Sequence, residues 1–269
     1  MNGVNMYETV MGLEVHVELA AESKLFCACS AKFGAEPNEN VCPACCGMPG
    51  MLPVANKRAI ELGMIAGSLL NCDISRRITF DKKNYFYPDL PTGYQITQWF
   101  APICKNGAVE IETAAGKKTI TLKQIHIEED AGKLTHDARR NISLVDYNRA
   151  GVPLIEIVSN PDFRAADETV AYLMKLQKLL SFAGVSDCKM QEGSMRCDVN
   201  LSVRKKGDAK LGVRTEIKNM NSFRAIERAI AYESERHIDA LESKTETLIQ
   251  ETRGWDDARG VTYPMRSKE

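Results

Sequence analysis

Apolar and polar residues alternate with a period of two in several runs of this chain and follow a helical period in three others. Residues 7–19 predict a strand, with Val15 and Val17 on one side and Glu14, His16 and Glu18 on the other. Thr119 to Glu128 predicts a second strand, with Ile125 and Ile127 opposite His126 and Glu128. Val152 to Val158 is short, apolar and β-branched, the pattern of a buried strand. Met195 to Arg204 and Val213 to Lys218 alternate again. Three helices are expected. Val54 to Leu70 carries Ile60, Met64, Gly67 and Leu70 along one side. Asp167 to Phe182 has acids at its start, a Leu173, Leu176 and Leu180 stripe, and Gly184 to stop it. Asn221 or Ser222 caps the last, which buries Phe223, Ile226, Ile230, Ile238 and Leu241. Cys27 to Pro53 reads as loop, and 76–106 as extended segments joined by turns. Strands and helices do not alternate regularly, so the expected class is α+β with a largely antiparallel sheet and packed helices, not a doubly wound fold.

Composition narrows the function. The 269 residues carry a net charge of −1, which argues against a diffuse basic surface for nucleic acid. No apolar run approaches the ~20 residues that span a bilayer. The N-terminus has neither signal-peptide nor transit character, so a cytoplasmic chain with no membrane role is expected. Nine cysteines, an odd number, do not suggest a disulfide framework.

The candidate chemistry is carboxylate-rich. Glu128-Glu129-Asp130 ends one strand, Glu14 and Glu18 flank His16 on another, and Asp198 and Glu216 stand on a third pair. Carboxylates gathered on one sheet repel unless a cation sits among them. Hard oxygen ligands with one imidazole suit Mg²⁺ or Mn²⁺, and Mg²⁺ commonly arrives with phosphates. Turn residues at Lys205-Lys206-Gly207-Asp208 predict a hairpin that opposes Asp198 to Glu216, Asn200 to Arg214 and Arg196 to Lys218. Taken alone, such a hairpin is better read as a solvated polar face in a slightly different register, since directly opposed like charges are unfavourable. His16 is a ligand or general base; His126 and His136 are expected to be structural.

Cys27-Ala-Cys29, twelve residues, and Cys42-Pro-Ala-Cys45 give two thiol pairs at spacings that fit tetrahedral zinc. Cys46 leaves the fourth ligand ambiguous, and buried free thiols are the plainer alternative. Cys72, Cys104, Cys188 and Cys197 are expected in the core. Asp81 to Asp89 interleaves lysines with aromatics. That could stack a base and bind phosphate, although an ordinary turn with packed tyrosines is the simpler account. There is no P-loop and no Gly-x-Gly-x-x-Gly run.

Seven segments together resemble one family: Gly12 to Glu18, Lys83 to Asp89, His126 to Lys133, Ser143 to Arg149, Pro153 to Ser159, Glu192 to Asn200 and Glu216 to Ser222. The chain resembles the GatB family, the B component of the bacterial tRNA-dependent amidotransferase. The resemblance implies a glutamine-synthetase-like catalytic cradle over residues 1–269, with a zinc-binding loop at 27–46. Family members continue past Glu269 into helical and tail domains, and Tyr263 to Glu269 reads as a cut end. The implied activity is that of a ligase. ATP phosphorylates the side-chain carboxylate of Glu on tRNA(Gln) or Asp on tRNA(Asn), and ammonia then displaces phosphate. The implied partners are misacylated tRNA, the ammonia-releasing amidase (GatA) and the small third component (GatC) of the same heterotrimer. By motif, Glu14, His16, Glu128, Asp198 and Glu216 fall on the family's Mg²⁺ and ATP site. Lys83 and Glu129 fall on its ammonia route or reaction site, and Cys27, Cys29, Cys42 and Cys45 on the zinc ligands of its zinc-carrying branch. Strand alternation turns Glu129 away from Glu128 and towards aliphatics, with Lys83 as its expected partner. Two other classes compete: a zinc-stabilised RNA-binding module without catalysis, and a free-standing ligase of the glutamine-synthetase type.

Overall fold

A computed structural model describes residues 6–137, 139–244 and 246–267. The chain passes through β1 (Tyr7–Glu18), α1 (Lys57–Leu69), β2 (Asp73–Ile74), β3 (Asp81–Asn84), β4 (Tyr94–Thr97), β5 (Cys104–Lys105), β6 (Ala108–Thr113) and β7 (Gly116–Glu129). It continues through β8 (Lys133–Asp137), β9 (Ile142–Asp146), β10 (Pro153–Ser159), α2 (Ala166–Phe182), β11 (Met195–Lys205), β12 (Thr215–Lys218), α3 (Phe223–Ser243), β13 (Glu251–Asp256) and β14 (Val261–Ser267). One large sheet runs β14-β13-β12-β11-β1-β10-β7-β5-β2, with β6 paired to β7. Every pairing in it is antiparallel except β12 with β13. The mixed α/β architecture with a mostly antiparallel sheet is therefore as expected.

β1 is the spine. It pairs with β11 along its length and with β10 on the other side. Met11, Leu13, Val15 and Val17 point to one face, joined there by Ile155 and Ile157 of β10, Ile125 and Ile127 of β7, and Cys197, Val199 and Leu201 of β11. The three helices close over this face, and burying each such aliphatic side chain contributes about 1.5–3 kcal/mol. The opposite face carries the alternate residues of the same strands. Register fixes them in rows. Arg196, His16, Glu156 and His126 stand abreast, and Asp198 stands beside Glu14.

The β11–β12 hairpin corrects the expected register by two residues. Asn200 faces Glu216 and Val199 faces Ile217, and Asp198 makes its ion pair with Lys218. The even shift keeps every side chain on its expected face while replacing two like-charge oppositions with favourable ones.

Two helices bury most of the expected positions and depart from the rest, with Gly67 and Leu70 of the first and Ile226 and Ile230 of the last inside as expected. Asn56 caps α1, accepting from the Arg58 and Ala59 amides. The helix turns Ala59, Leu62, Gly63, Ala66 and Gly67 inward and leaves Met64 exposed. Small residues are needed here because a Cβ on Gly67 would lie 2.2 Å from Cys104 Sγ. In α3, capped by Ser222, Ile226 and Ile230 are buried but Leu241 is exposed. Glu233 and His237 take the inner positions instead, because β13 and β14, which the periodicity did not reveal, bring a polar network against the helix. Cys104, Cys188 and Cys197 are buried, whereas Cys72 is only partly so.

Glu233 is the centre of that network. It is fully buried, pairs with Arg236 at 2.6 Å and lies 3.3 Å from His237. It accepts from Thr262 at 2.7 Å, and Arg253 is 3.7 Å away. Burial alone would raise its pKa, but His237 and Arg236 hold it down at about 2. A carboxylate depressed in the fold contributes stability above its unfolded value of 4.5 and loses it as pH falls towards 2. Glu233→Ala is expected to destabilise the protein by about 3–5 kcal/mol at neutral pH, because it strands buried cations. In urea denaturation the gap between wild type and variant should narrow below pH 4.5. A small, pH-independent difference would show that the network adds little.

Candidate functional site

The polar face of the sheet gathers the acidic residues into two adjoining clusters. Glu14, Asp198 and Glu216 offer oxygens within 4.8 Å of one another, and an imidazole nitrogen of His16 and carboxylate oxygens of Glu128 and Glu156 lie equally close together. Each group owes its place to strand alternation. Glu14 and His16 come from β1, Asp198 from β11, Glu216 from β12, Glu128 from β7 and Glu156 from β10. All five residues expected to bind a divalent cation therefore project from the same sheet face.

One member of the second cluster, Glu156, and one neighbour of it, His126, were not anticipated. Glu156 sits in β10, whose apolar composition reads as a wholly buried strand, yet its period-two position matches His16 across the pair. His126, expected to be structural, bridges two of the acids. Its Nε2 lies 3.0 Å from Glu128 Oε1 and 3.0 Å from Glu156 Oε2. Its place in the row of His16 and Glu156 could have shown this, had β7 been paired with β10. His136 lies on the exposed β8–β9 hairpin, bonded to Ser143 at 2.8 Å.

The electrostatics of the face are those of crowded acids. Glu14 is raised by burial first and then by Glu156, Glu216 and Asp198. Burial pushes the His16 imidazole down, but Glu156, 3.5 Å away, more than reverses this and raises it. Burial likewise opposes ionisation of Glu156, while His126 and His16 hold it well below the usual range. Gln95 and Thr97 of β4 reach over to Glu128, donating at 3.2 and 2.6 Å. Asn200 donates to Glu14 at 3.0 Å. Its buried Oδ1 finds no hydrogen-bond donor among the described residues. An acceptor left over beside the raised Glu14 carboxyl is what a hard cation would complete, so the donor set fits Mg²⁺ or Mn²⁺. A cavity of about 430 Å³ opens on this face, with His16, Asp198, Arg149, Arg196 and Lys218 in its wall. Arg196 and Lys218 put cations beside the acids; Arg196 is 2.8 Å from Asp130.

Glu129 does project to the other side of β7. It lines a small cavity of about 90 Å³ with Lys24, Cys45, Tyr94, Ile96 and Gly151. Burial raises its carboxyl to about 7, partly offset by the Ile96 amide, with Cys45 raising it and Lys24 lowering it. The expected partner is corrected. No ion pair joins Lys83 to Glu129 among the described residues, and Lys83 stands exposed on β3, 5.9 Å from the Tyr85 ring. The ammonium near Glu129 is Lys24, whose position between two loop segments leaves no periodic signal.

The four cysteines converge as their spacing implies. Cys27, Cys29, Cys42 and Cys45 bring their sulfurs within 4.8 Å of one another, and the set is compatible with a structural zinc site. Cys45 is held low, at about 4, by Cys27 first and further by the Cys42 amide and Lys24. Cys46 is outside this group.

A mixed α/β domain with one helix-covered sheet face and one acid-lined face is the class that the fold and the site define. The GatB/GatE catalytic domain model matches residues 9–269, and the chain belongs to that family. Among curated relatives, the B component of the aspartyl/glutamyl-tRNA(Asn/Gln) amidotransferase of Lachnoclostridium phytofermentans is 58% identical over 266 residues, 99% of this chain and 55% of the relative. The protein of the same name from Caldicellulosiruptor saccharolyticus is 59% identical over 263 residues, 98% of this chain and 55% of the relative. The chain thus spans about half the length of the curated relatives it matches. No helix among the described residues is long and apolar enough to cross a membrane.

Protein purified without added zinc is expected to carry about one equivalent of the metal, as a closed four-ligand site requires. Cys45→Ser should lower the content and expose the other three thiols to titration. Four freely titratable thiols in the folded, metal-free protein would contradict the assignment.

Proposed function

We propose that this chain is the catalytic part of a tRNA-dependent amidotransferase, acting with ATP and Mg²⁺ on a carboxylate carried by misacylated tRNA. The reading is that of a glutamine-synthetase-like cradle: an open antiparallel sheet whose acids receive a nucleotide–metal complex. The observation that carries it is the convergence of six metal-type side chains on one sheet face beside a 430 Å³ cavity.

A carboxylate is a poor electrophile, and phosphorylation supplies a leaving group that ammonia can displace. Mg²⁺, when bound, would neutralise charge on the transferring phosphoryl group. Glu14, Asp198 and Glu216 would hold it, with His16, Glu128 and Glu156 as the adjoining ligand set. Lys218 and Arg196 stand where they can attract phosphate oxygens, and their ion pairs with Asp198 and Asp130 pre-orient them. His126 holds Glu128 and Glu156 in place from the side. Glu129, on the reverse face, borders a cavity of the size a small neutral nucleophile needs, and Lys83 lies on the neighbouring hairpin. An amidase partner and a small third component would supply ammonia and complete the enzyme, and the zinc loop would be structural.

In the assembled amidotransferase, Asp198→Asn or Glu216→Gln is expected to lower transamidation by two orders of magnitude or more, on the order of what an essential metal contact supplies. Glutamine hydrolysis by the amidase should survive. Wild-type transamidation in either variant would remove that residue from the metal site.

Glu129→Gln separates the two faces. It is expected to impair glutamine-dependent transamidation more than ATP hydrolysis on the acyl-tRNA. Rescue by high external ammonia would place Glu129 on the delivery route, and lack of rescue at the reaction centre. Equal, near-wild-type rates with both nitrogen donors would exclude any part in transfer.

A further inference from the structure

The cysteine cluster and the acid-lined face meet through one stretch of backbone, the turn at 145–151. The loop carrying the cysteines is stitched to this turn almost entirely by polar groups. Asn38, at φ 63°, sits at the apex of that loop. Its Nδ2 donates to Val145 O at 3.0 Å, and its Oδ1 accepts from the Tyr147 amide at 2.8 Å. The Asn40 amide donates to Asn148 Oδ1 at 2.8 Å, and Asn148 Nδ2 returns a bond to Glu36 O at 2.6 Å. Lys24 completes the seam from inside. Only 1% exposed, it donates from Nζ to Asn40 O at 2.7 Å and Tyr147 O at 3.1 Å, and lies 3.6 Å from Cys45 Sγ.

The same turn carries Arg149. Its Nε donates to Ala131 O at 2.9 Å and its Nη2 to Gly132 O at 3.1 Å. These carbonyls directly follow Glu128-Glu129-Asp130. Arg149 also lines both the 430 Å³ cavity and a neighbouring one of about 570 Å³. One continuous path therefore runs from the thiols, through Lys24 and Asn38, to Arg149 and the end of β7.

We propose that metal occupancy at Cys27, Cys29, Cys42 and Cys45 positions Arg149 at the catalytic face, with Lys24 and Asn38 as the positioning residues that transmit it. The inference rests on reading the four thiols as a metal site. Residues 30–41 are mostly exposed, so they have little apolar burial to hold their shape, and Asn38 and Asn40 keep their bonds only while the loop is closed at both ends. A dication in four thiolates leaves excess negative charge, and the buried ammonium of Lys24 is the cation beside it. Donors to metal-bound sulfur orient the ligand and tune the metal, and losing such a partner commonly weakens metal binding about 10–100-fold.

The test is made on the full-length protein, zinc-loaded and chelator-stripped, by hydrogen exchange and metal titration. Stripping is expected to speed exchange of the Tyr147 and Asn40 amides at least about tenfold, leaving the β1 and β11 amides unchanged. Asn38→Ala should reproduce the Tyr147 acceleration while zinc stays bound. Lys24→Met should weaken zinc affinity about 10–100-fold. With cobalt in the site, it should also shift the thiolate-to-metal charge-transfer band to lower energy, because a hydrogen bond to sulfur is lost. Bound zinc with no change in exchange on stripping would overturn the inference alone. So would a Lys24→Met protein with wild-type affinity and an unmoved cobalt band. Failure of the four thiols to bind metal at all would overturn the metal reading and the inference with it.

Discussion

Mutual repulsion among carboxylates on one face of a sheet is the constraint on which this structure turns. Antiparallel pairing sets neighbouring strands about 4.8 Å apart, so acids at matching positions cannot avoid one another. The fold answers in two ways. Where it can, it sets an acid against a base, as with Asp198 and Lys218 or Glu156 between His16 and His126. Where it does not, as at Glu14, the carboxyl is raised by burial and by its acidic neighbours. A site arranged in this way is crowded with negative charge, and a divalent cation is the complement proposed for it.

The rest of the architecture serves that face. The helices bury the aliphatic side of β1, β7, β10 and β11, leaving the polar side open. Glycines at 63 and 67 let α1 approach β5 and β7 closely, and the β3–β4 hairpin lays Gln95 and Thr97 over Glu128. Across β7 the same alternation that turns Glu128 to the polar face sends Glu129 into a separate cavity bounded by Lys24 and Cys45. Two chemistries can thus be kept on opposite sides of a single strand.

Much of this was legible in the sequence because period-two patterning survives errors of register. The hairpin of β11 and β12 is displaced by two residues from the expected pairing, yet Asp198 and Glu216 still share a face with Glu14 and His16. The five metal-type residues and the four cysteines were legible from patterning and spacing, and the resemblance to the family pointed to the same positions. What was not legible depended on contacts between distant segments. Glu156 was hidden in an apolar strand, and the role of His126 needed the β7–β10 pairing. Lys24 took the place expected for Lys83 because a loop, which has no period, brings it there. The polar inner face of α3 was missed because β13 and β14 lie after it in the chain and supply the partners that make a buried Glu233 tolerable.

The central claim is that the open face is a divalent-cation site built from both clusters. The direct measurement is titration of the full-length protein with Mn²⁺, followed by electron paramagnetic resonance, for wild type and Glu156→Gln. The account predicts tight binding in the wild type that Mg²⁺ displaces and that Glu156→Gln weakens about tenfold or more, as loss of a charged ligand requires. Equal Mn²⁺ affinity in the two proteins, or no saturable binding in either, would contradict it.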